Sequence, residues 1–394
     1  MLVKKAFKYR IYPNKEQQAA LTVQFGHARF VYNWSLARRK AYYKETGQGL
    51  SSYDINKEVT ELKHQPDYEW LQEADSQILQ QKSLDLKRAY VNFFAGRAKY
   101  PQFKSKKARQ SIRYPQRFKV EGKAIYLPKV GWVKLKQHRP IEGEMKNATV
   151  SKTKSGRYFV SIQCEMEKED PSYQGGQIGI DLGLIDFVTA SKGKPIPAPK
   201  HLRQAERKLK RLQRQMSRKH KGSNGYQKAR LRLARQAEKV ANQRQDFQHK
   251  LSRELIAQNE LIGFENLNVV GMLKNHHLAK SIQDAAWSQF VRFCEYKGAW
   301  YGCHIEKVSR FFPTSKLCSA CGQKHQSLKL SQRKWLCIGC GVVHKRDLNA
   351  AKNILTEIQN TVGTTEINAD GENVRPPQTL FVSAVSLKSE AAQL

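Results

Sequence analysis

Nowhere in its 394 residues does the chain approach the run of about 18 apolar residues that a membrane-spanning helix needs. Its first residues, MLVKKAFKYRIYP, carry charge but no apolar segment, so no secretory signal is expected there. Cysteine is scarce, seven in all, and four of the seven fall in two C-x2-C pairs. That usage fits a metal knuckle in a reducing compartment better than a disulfide framework. Cys164, Cys294 and Cys303 stand apart from the pairs and read as small buried side chains. Acid is short relative to base: 34 Asp and Glu face 70 Lys and Arg, a formal net charge of +36. A protein so one-sided repels itself until it meets a polyanion. With no membrane partner indicated, nucleic acid is the expected one, and the reducing compartment that the cysteines suggest is the cytoplasm.

What is present divides into two halves. Residues 2 to 12 alternate, with Val3, Phe7, Tyr9 and Ile11 on one face and Lys4, Lys8 and Arg10 on the other, the pattern of a half-buried strand. Asn14 and Gln17 after Pro13 form a capping-box helix start, and helical patterns follow at 15 to 45, 53 to 64 and 74 to 95. Residues 97 to 119 interleave Lys104, Lys106 and Lys107 with Tyr100, Phe103, Tyr114 and Phe118, which suits base stacking and core packing equally. Strand periodicity returns in RYFVSIQCEM, where Tyr158, Val160, Ile162, Cys164 and Met166 share a face. The expectation is an α+β multidomain protein that opens with a β-barrel-like domain (1–12 and 120–170) interrupted by a helical insertion (13–119).

The second half opens on GGQIGIDLGLIDFVTAS: a buried strand, a tight turn and a second strand. A basic helical hairpin is expected over 200–258, with Leu202, Ala205, Leu209, Leu212 and Met216 as its seam and KGSNG as its turn. From 200 to 250 there are 17 Lys or Arg against three acids, too lopsided for a salt-bridged solvated face. Arg207, Lys210, Arg211 and Arg214 are therefore candidate phosphate contacts. LIGFENLNV reads as a short strand, 281 to 301 as a helix, CHIEKVS as a strand, and 361–394 as a loose tail.

Cys318, Cys321, Cys337 and Cys340 give C-x2-C-x15-C-x2-C. Four thiolates at this spacing surround one tetrahedral zinc, and such a closed site serves structure rather than catalysis. Three acids stand out as well. Asp181 ends the apolar strand IGID, Glu265 ends LIGFE, and Asp347 opens the helix after the ribbon. Taken singly, a turn, a strand end and an N-cap explain them. Taken together in a basic chain, they are candidate ligands for Mg²⁺ or Mn²⁺ in a phosphodiester displacement.

The segments IGIDLG, FENLNVVGMLKN, RFFPTSKLCSACG and RDLNAAKNIL resemble the TnpB family of transposon-encoded proteins, relatives of type V CRISPR effectors. FVYNWSLARRK, SQILQQ and YPQFKSKK extend the resemblance to about residues 1–356. It implies a RuvC-type nuclease domain of RNase H-like fold (171–312 and 342–360) with an inserted zinc ribbon (313–341), and Asp181, Glu265 and Asp347 as catalytic metal ligands. It also implies a guide RNA, double-stranded target DNA and one protein per guide. A short DNA motif would be read from the N-terminal half, where Ser76 and Gln80 are candidates. Family members often have E-D-L at the central acid; here it is Glu265-Asn266-Leu267. Composition and spacing alone leave open a DNA transposase, a protein-only nuclease or a non-catalytic zinc-ribbon binder.

Overall fold

The computed structural model describes residues 1–169, 175–329 and 331–367, with burial described as far as 361. The described residues divide into two compact units, one up to Lys168 and one from Glu169 to 367. The first holds β1 (Leu2–Tyr12), α1 (Lys15–Thr46), α2 (Ser52–Leu62), a 3-10 helix (Pro66–Glu73) and α3 (Ser76–Phe94), followed by six more strands. These are β2 (Gln110–Tyr114), β3 (Lys119–Glu121), β4 (Ala124–Leu127), β5 (Gly131–Lys136), β6 (Glu144–Lys152) and β7 (Tyr158–Glu167). All seven strands join one antiparallel sheet in the order β2-β6-β7-β1-β5-β4-β3. Phe7, Tyr9 and Ile11 of β1 meet Val160, Ile162 and Cys164 of β7 in a core closed by Leu21, Phe25 and Ala28 of α1.

Local signals act here as expected. The Asn14 side chain accepts from the Gln17 backbone N–H at 2.8 Å, and the Asn14 N–H donates to the Gln17 side chain at 3.0 Å, which satisfies two donors at the start of α1. One boundary differs. β2 lies within the stretch expected to be helical insertion, because Ile112 and Tyr114 alternate into the sheet core. The aromatics of that stretch divide accordingly: Tyr114 is fully buried, whereas Phe103 is 56% exposed.

The second unit contains β8 (Gly176–Asp181), β9 (Asp186–Ala190), β10 (Ile196–Pro197), α4 (His201–Ser217), α5 (Asn224–Gln258) and β11 (Asn259–Glu265). It continues with α6 (Val269–Met272), α7 (His276–Ala285), α8 (Trp287–Tyr301), β12 (His304–Val308), β13 (Lys334–Leu336), β14 (Val343–Lys345) and α9 (Arg346–Ile367). A five-stranded mixed sheet runs β10-β9-β8-β11-β12, with β8, β11 and β12 parallel. Because side chains alternate along a strand, Ile178, Ile180, Ile262 and Phe264 face one side, packed with Leu251 and Leu255 of α5 and Phe290 of α8. The opposite side meets α9 through Leu261, Val308, Ile354 and Ile358. In α4 the five expected seam residues are half-buried while Arg207, Lys210, Arg211 and Arg214 are exposed.

Two departures concern helices. The helix expected at 281–301 is broken at Ala286, which adopts φ 51°, and the Gln248 amide donates to the carbonyls of Ala285 (2.8 Å) and Ala286 (3.3 Å) at the break. Helix α9 runs on to Ile367, past the boundary expected at 360. The rest of the tail, from 368, lies outside the described residues.

The sheet admits α9 because of two glycines. Gly179 and Gly263 are register partners on β8 and β11. A Cβ on Gly179 would lie 2.1 Å from the Ala351 carbonyl oxygen and 2.5 Å from the Leu355 nitrogen, both backbone atoms that cannot swing aside. On Gly263 it would meet Ile358 at 2.7 Å and Ile354 at 2.9 Å. Replacing Gly179 by Ala should therefore cost about 1–3 kcal/mol, as overpacking does, measured by chemical denaturation. An unchanged midpoint would show that α9 is free to lift.

Candidate active site and metal centres

Asp181 and Glu265 each stand two residues beyond those paired glycines, so both project from the α9 side at the C-terminal ends of adjacent parallel strands. Helix α9 supplies the third acid by its direction. One turn back from Ala351, about 6 Å along the axis, lies Asp347, in the first turn. Two strand residues beyond Gly179, about 6.6 Å, lies Asp181. The helix start and the strand ends thus reach the same level.

All three carboxylates are half-buried. Asp181 bears the consequence: burial first, then the charges of Glu265 and Asp347, push its carboxyl up to about 8, against Arg346 and the Leu182 N–H. Oxygen donors that repel one another in this way fit a hard divalent cation, which removes the repulsion that keeps one of them protonated. Glu265 accepts a hydrogen bond from the Thr314 hydroxyl, and Arg333 donates to Asp347 at 3.4 and 3.5 Å. A cleft of about 450 Å³ opens beside Glu265 and is lined by Asn266, Asn268, Ser309, Arg310, Thr314 and Lys316. Phe311, next to it in sequence, is 90% exposed.

The sulfur site is built on two turns and the β13–β14 hairpin. The sulfurs of Cys318 and Cys340 lie 3.6 Å apart, as do those of Cys321 and Cys337, and all four lie within 4.8 Å of one another. Zn–S bonds of about 2.3 Å in a tetrahedron put sulfurs about 3.8 Å apart, so the four thiols fit zinc. Gly322 and Gly341, directly after each pair, adopt φ 77° and 71°, which favours glycine. Backbone N–H groups of Cys340 and Gly339 hold the Cys337 thiol down to about 7. The Gln323 N–H favours ionised Cys321 as well, yet its contact with Cys318 leaves it pushed up to about 12, since crowded thiols cannot all ionise without a cation. His344, buried against Trp335, places Nε2 3.0 Å from the Cys318 sulfur. Among the described residues only these four cysteines bring three or more potential ligand atoms within that mutual distance; the carboxylates stand farther apart.

The candidate nucleic-acid contacts fall into different environments. Ser76 and Gln80 are exposed one turn apart at the start of α3. Lys106 and Lys107 are exposed. Lys104 differs: its ammonium sits 3.6 Å from the Tyr32 ring centroid, and burial, then the charge of Lys82, pull it down to about 8. That cation lies against an aromatic ring of its own unit. Thr314, Asn349 and Asn353, which organise the loop ahead of the ribbon, escaped sequence reasoning. The available signal was a pair of Asn four residues apart on an otherwise apolar helix face.

Family models match the chain at 161–276 ("Probable transposase", OrfB_IS605), 287–354 ("Cas12f1-like, TNB domain") and 1–48 ("Helix-turn-helix domain"). A Streptomyces pristinaespiralis protein named as an RNA-guided DNA endonuclease is 41% identical over 95% of this chain and 92% of its own length. The chain belongs to the OrfB (TnpB) family. A second TnpB relative, InsQ of Escherichia coli K12, also named as an RNA-guided DNA endonuclease, is 32% identical over 97% of this chain and 99% of its own. The fold of this TnpB chain matches a Cas12f1 solved with sgRNA and target DNA, at 15% identity and TM-score 0.56 over 90% of this chain and 98% of that one.

Two outcomes follow for the metals. Purified protein should carry one zinc per chain by elemental analysis, and Cys337→Ser should lose it; zinc-free protein with an ordered ribbon would contradict this. A divalent cation bound at the acids would have to displace the proton that Asp181 retains below about 8. Mn²⁺ affinity should thus rise with pH toward that value by roughly tenfold per unit, then level off. Calorimetric titration across that range checks it, with Asp181→Asn expected to remove the slope.

Proposed function

We propose that the chain is an RNA-guided, divalent-metal-dependent DNA endonuclease of a transposable element, hydrolysing phosphodiester bonds at a single RuvC-type site. The observation that carries this is the arrival of Asp181, Glu265 and Asp347 from two strands and a helix at one level, close enough for the last two to raise the first. The names of the relatives support the guide and the DNA substrate. Asp181, Glu265 and Asp347 would hold Mg²⁺ or Mn²⁺, which supplies an activated water and charge neutralisation at the leaving oxygen.

The chain's own residues do the rest. Arg310 and Lys316 bring positive charge to the cleft beside Glu265, where a phosphate backbone must lie. The exposed face of Phe311 offers an unpaired base a stacking surface. Arg207, Lys210, Arg211 and Arg214 on α4, with the basic face of α5, grip nucleic acid through its backbone, leaving sequence to base pairing. The four-sulfur zinc site has no open position, so it stays structural. One protein acts with one guide RNA on double-stranded DNA.

The description "Probable transposase" favours strand transfer as a second reading. One experiment separates the two. Protein stripped of RNA at high salt should bind DNA but lose site-specific cutting, and added RNA with a new spacer should redirect it. Asp181→Ala, Glu265→Ala and Asp347→Ala should each abolish cutting while nucleic-acid binding stays within about twofold, because Lys and Arg supply that affinity. Cutting that persists without RNA, or joined-strand products, would support the transposase.

A further inference from the structure

Glu265 and the helix that carries Asp347 are tied together by the loop that leads into the four-cysteine ribbon. Thr314 is 6% exposed, and its hydroxyl donates to Oε1 of Glu265. An ionised carboxylate can only accept, so this bond fixes the rotamer of Glu265 and leaves its second oxygen for a cation. Thr314 is fixed in turn. Its carbonyl accepts from Asn353 Nδ2 at 2.7 Å, and the same amide donates to the Leu317 carbonyl at 2.7 Å. Asn349 Nδ2 also donates to the Leu317 carbonyl at 2.7 Å, and Asn349 Oδ1 accepts from the Ser319 N–H at 2.9 Å. Asn349 and Asn353 are 1% and 4% exposed. Amides buried this deeply are costly unless paired, and here the pairing goes to the loop.

Both Asn belong to α9, the helix that carries Asp347. The loop is therefore a strut: one end holds the side chain of Glu265 and the other is bonded along the helix of Asp347. Cys318 sits inside it, so the zinc site anchors the same segment. We propose that Thr314 is a positioning residue for Glu265, held through Asn349 and Asn353, and that this strut sets the divalent-ion affinity of the acid trio. The inference rests on the reading of the trio as a divalent-cation site.

The test is Mn²⁺ binding to the full-length protein, followed by calorimetry and by the paramagnetic signal of free Mn²⁺, without nucleic acid. Asp181→Ala is the reference. Thr314→Val, which keeps shape and removes the donor, should weaken Mn²⁺ about tenfold, in the range lost with an outer-shell partner. Thr314→Ser, which keeps the hydroxyl, should stay within about twofold of wild type. Asn353→Leu should weaken Mn²⁺ as well, and the double variant Thr314→Val with Asn353→Leu should be no weaker than the worse single one, because both act through one path. Cleavage by Thr314→Val should recover at high Mn²⁺, as a purely structural lesion would not. Should Thr314→Val fail to fold, Thr314→Ala carries the same comparison. Wild-type Mn²⁺ affinity in Thr314→Val, with Asp181→Ala defective, would overturn the strut and leave the trio standing. Wild-type affinity in Asp181→Ala would overturn the trio itself.

Discussion

The close approach of a helix backbone to a bare sheet surface governs this site. At Gly179 and Gly263 the strands β8 and β11 present no side chain, and α9 settles against them, with its backbone at Gly179 and with Ile354 and Ile358 at Gly263. The helix packs tightly here because Ile354 and Ile358 fill the groove beside it. Each such side chain contributes about 1.5–3 kcal/mol on burial. Were the helix held off by even one methyl layer, its first turn would stand clear of the strand ends, and Asp347 would face solvent rather than Asp181. The spacing G-x-acid on both strands turns this packing rule into a rule for the candidate site, since residues two apart share a face.

That arrangement works against electrostatics. Three carboxylates collected in a half-buried site repel, and Asp181 takes the strain as a retained proton. The surrounding hydrogen bonds from Thr314 and Arg333 reach the other two acids. Both come from the segment between β12 and α9, the one that also bears the cysteines. The four-cysteine knuckle and the bonds that steady two of the acids thus belong to one segment.

Much of this was legible because the signals are local. Period-two alternation marked β1 and β7, the Asn14–Gln17 pair marked the start of α1, and the spacing of five apolar residues marked the face of α4. The cysteine spacing needed only the coordination preferences of zinc. What escaped depends on partners distant in sequence. Thr314 and Asn353, 39 positions apart in sequence, look like ordinary polar residues until the fold brings them into contact. Lys104 looks like any surface lysine until Tyr32 lies beneath it. The break at Ala286 has no Gly or Pro to announce it, and what meets its carbonyls is the side chain of Gln248 on another helix. β2 was hidden because its five residues, QSIRY, are too few to show a period.

The order of the elements along the chain has a consequence for synthesis. Domains assemble as they emerge from the ribosome, N-terminal part first. The first unit, the basic hairpin α4–α5 and the strands bearing Asp181 and Glu265 all precede the zinc ribbon, and Asp347 follows it. A nascent or prematurely ended chain that stops within the ribbon therefore carries the positive surfaces and two of the three acids, but lacks the third. On the function proposed above, such a fragment would grip nucleic acid and leave it intact, so cutting would wait until synthesis has passed Asp347.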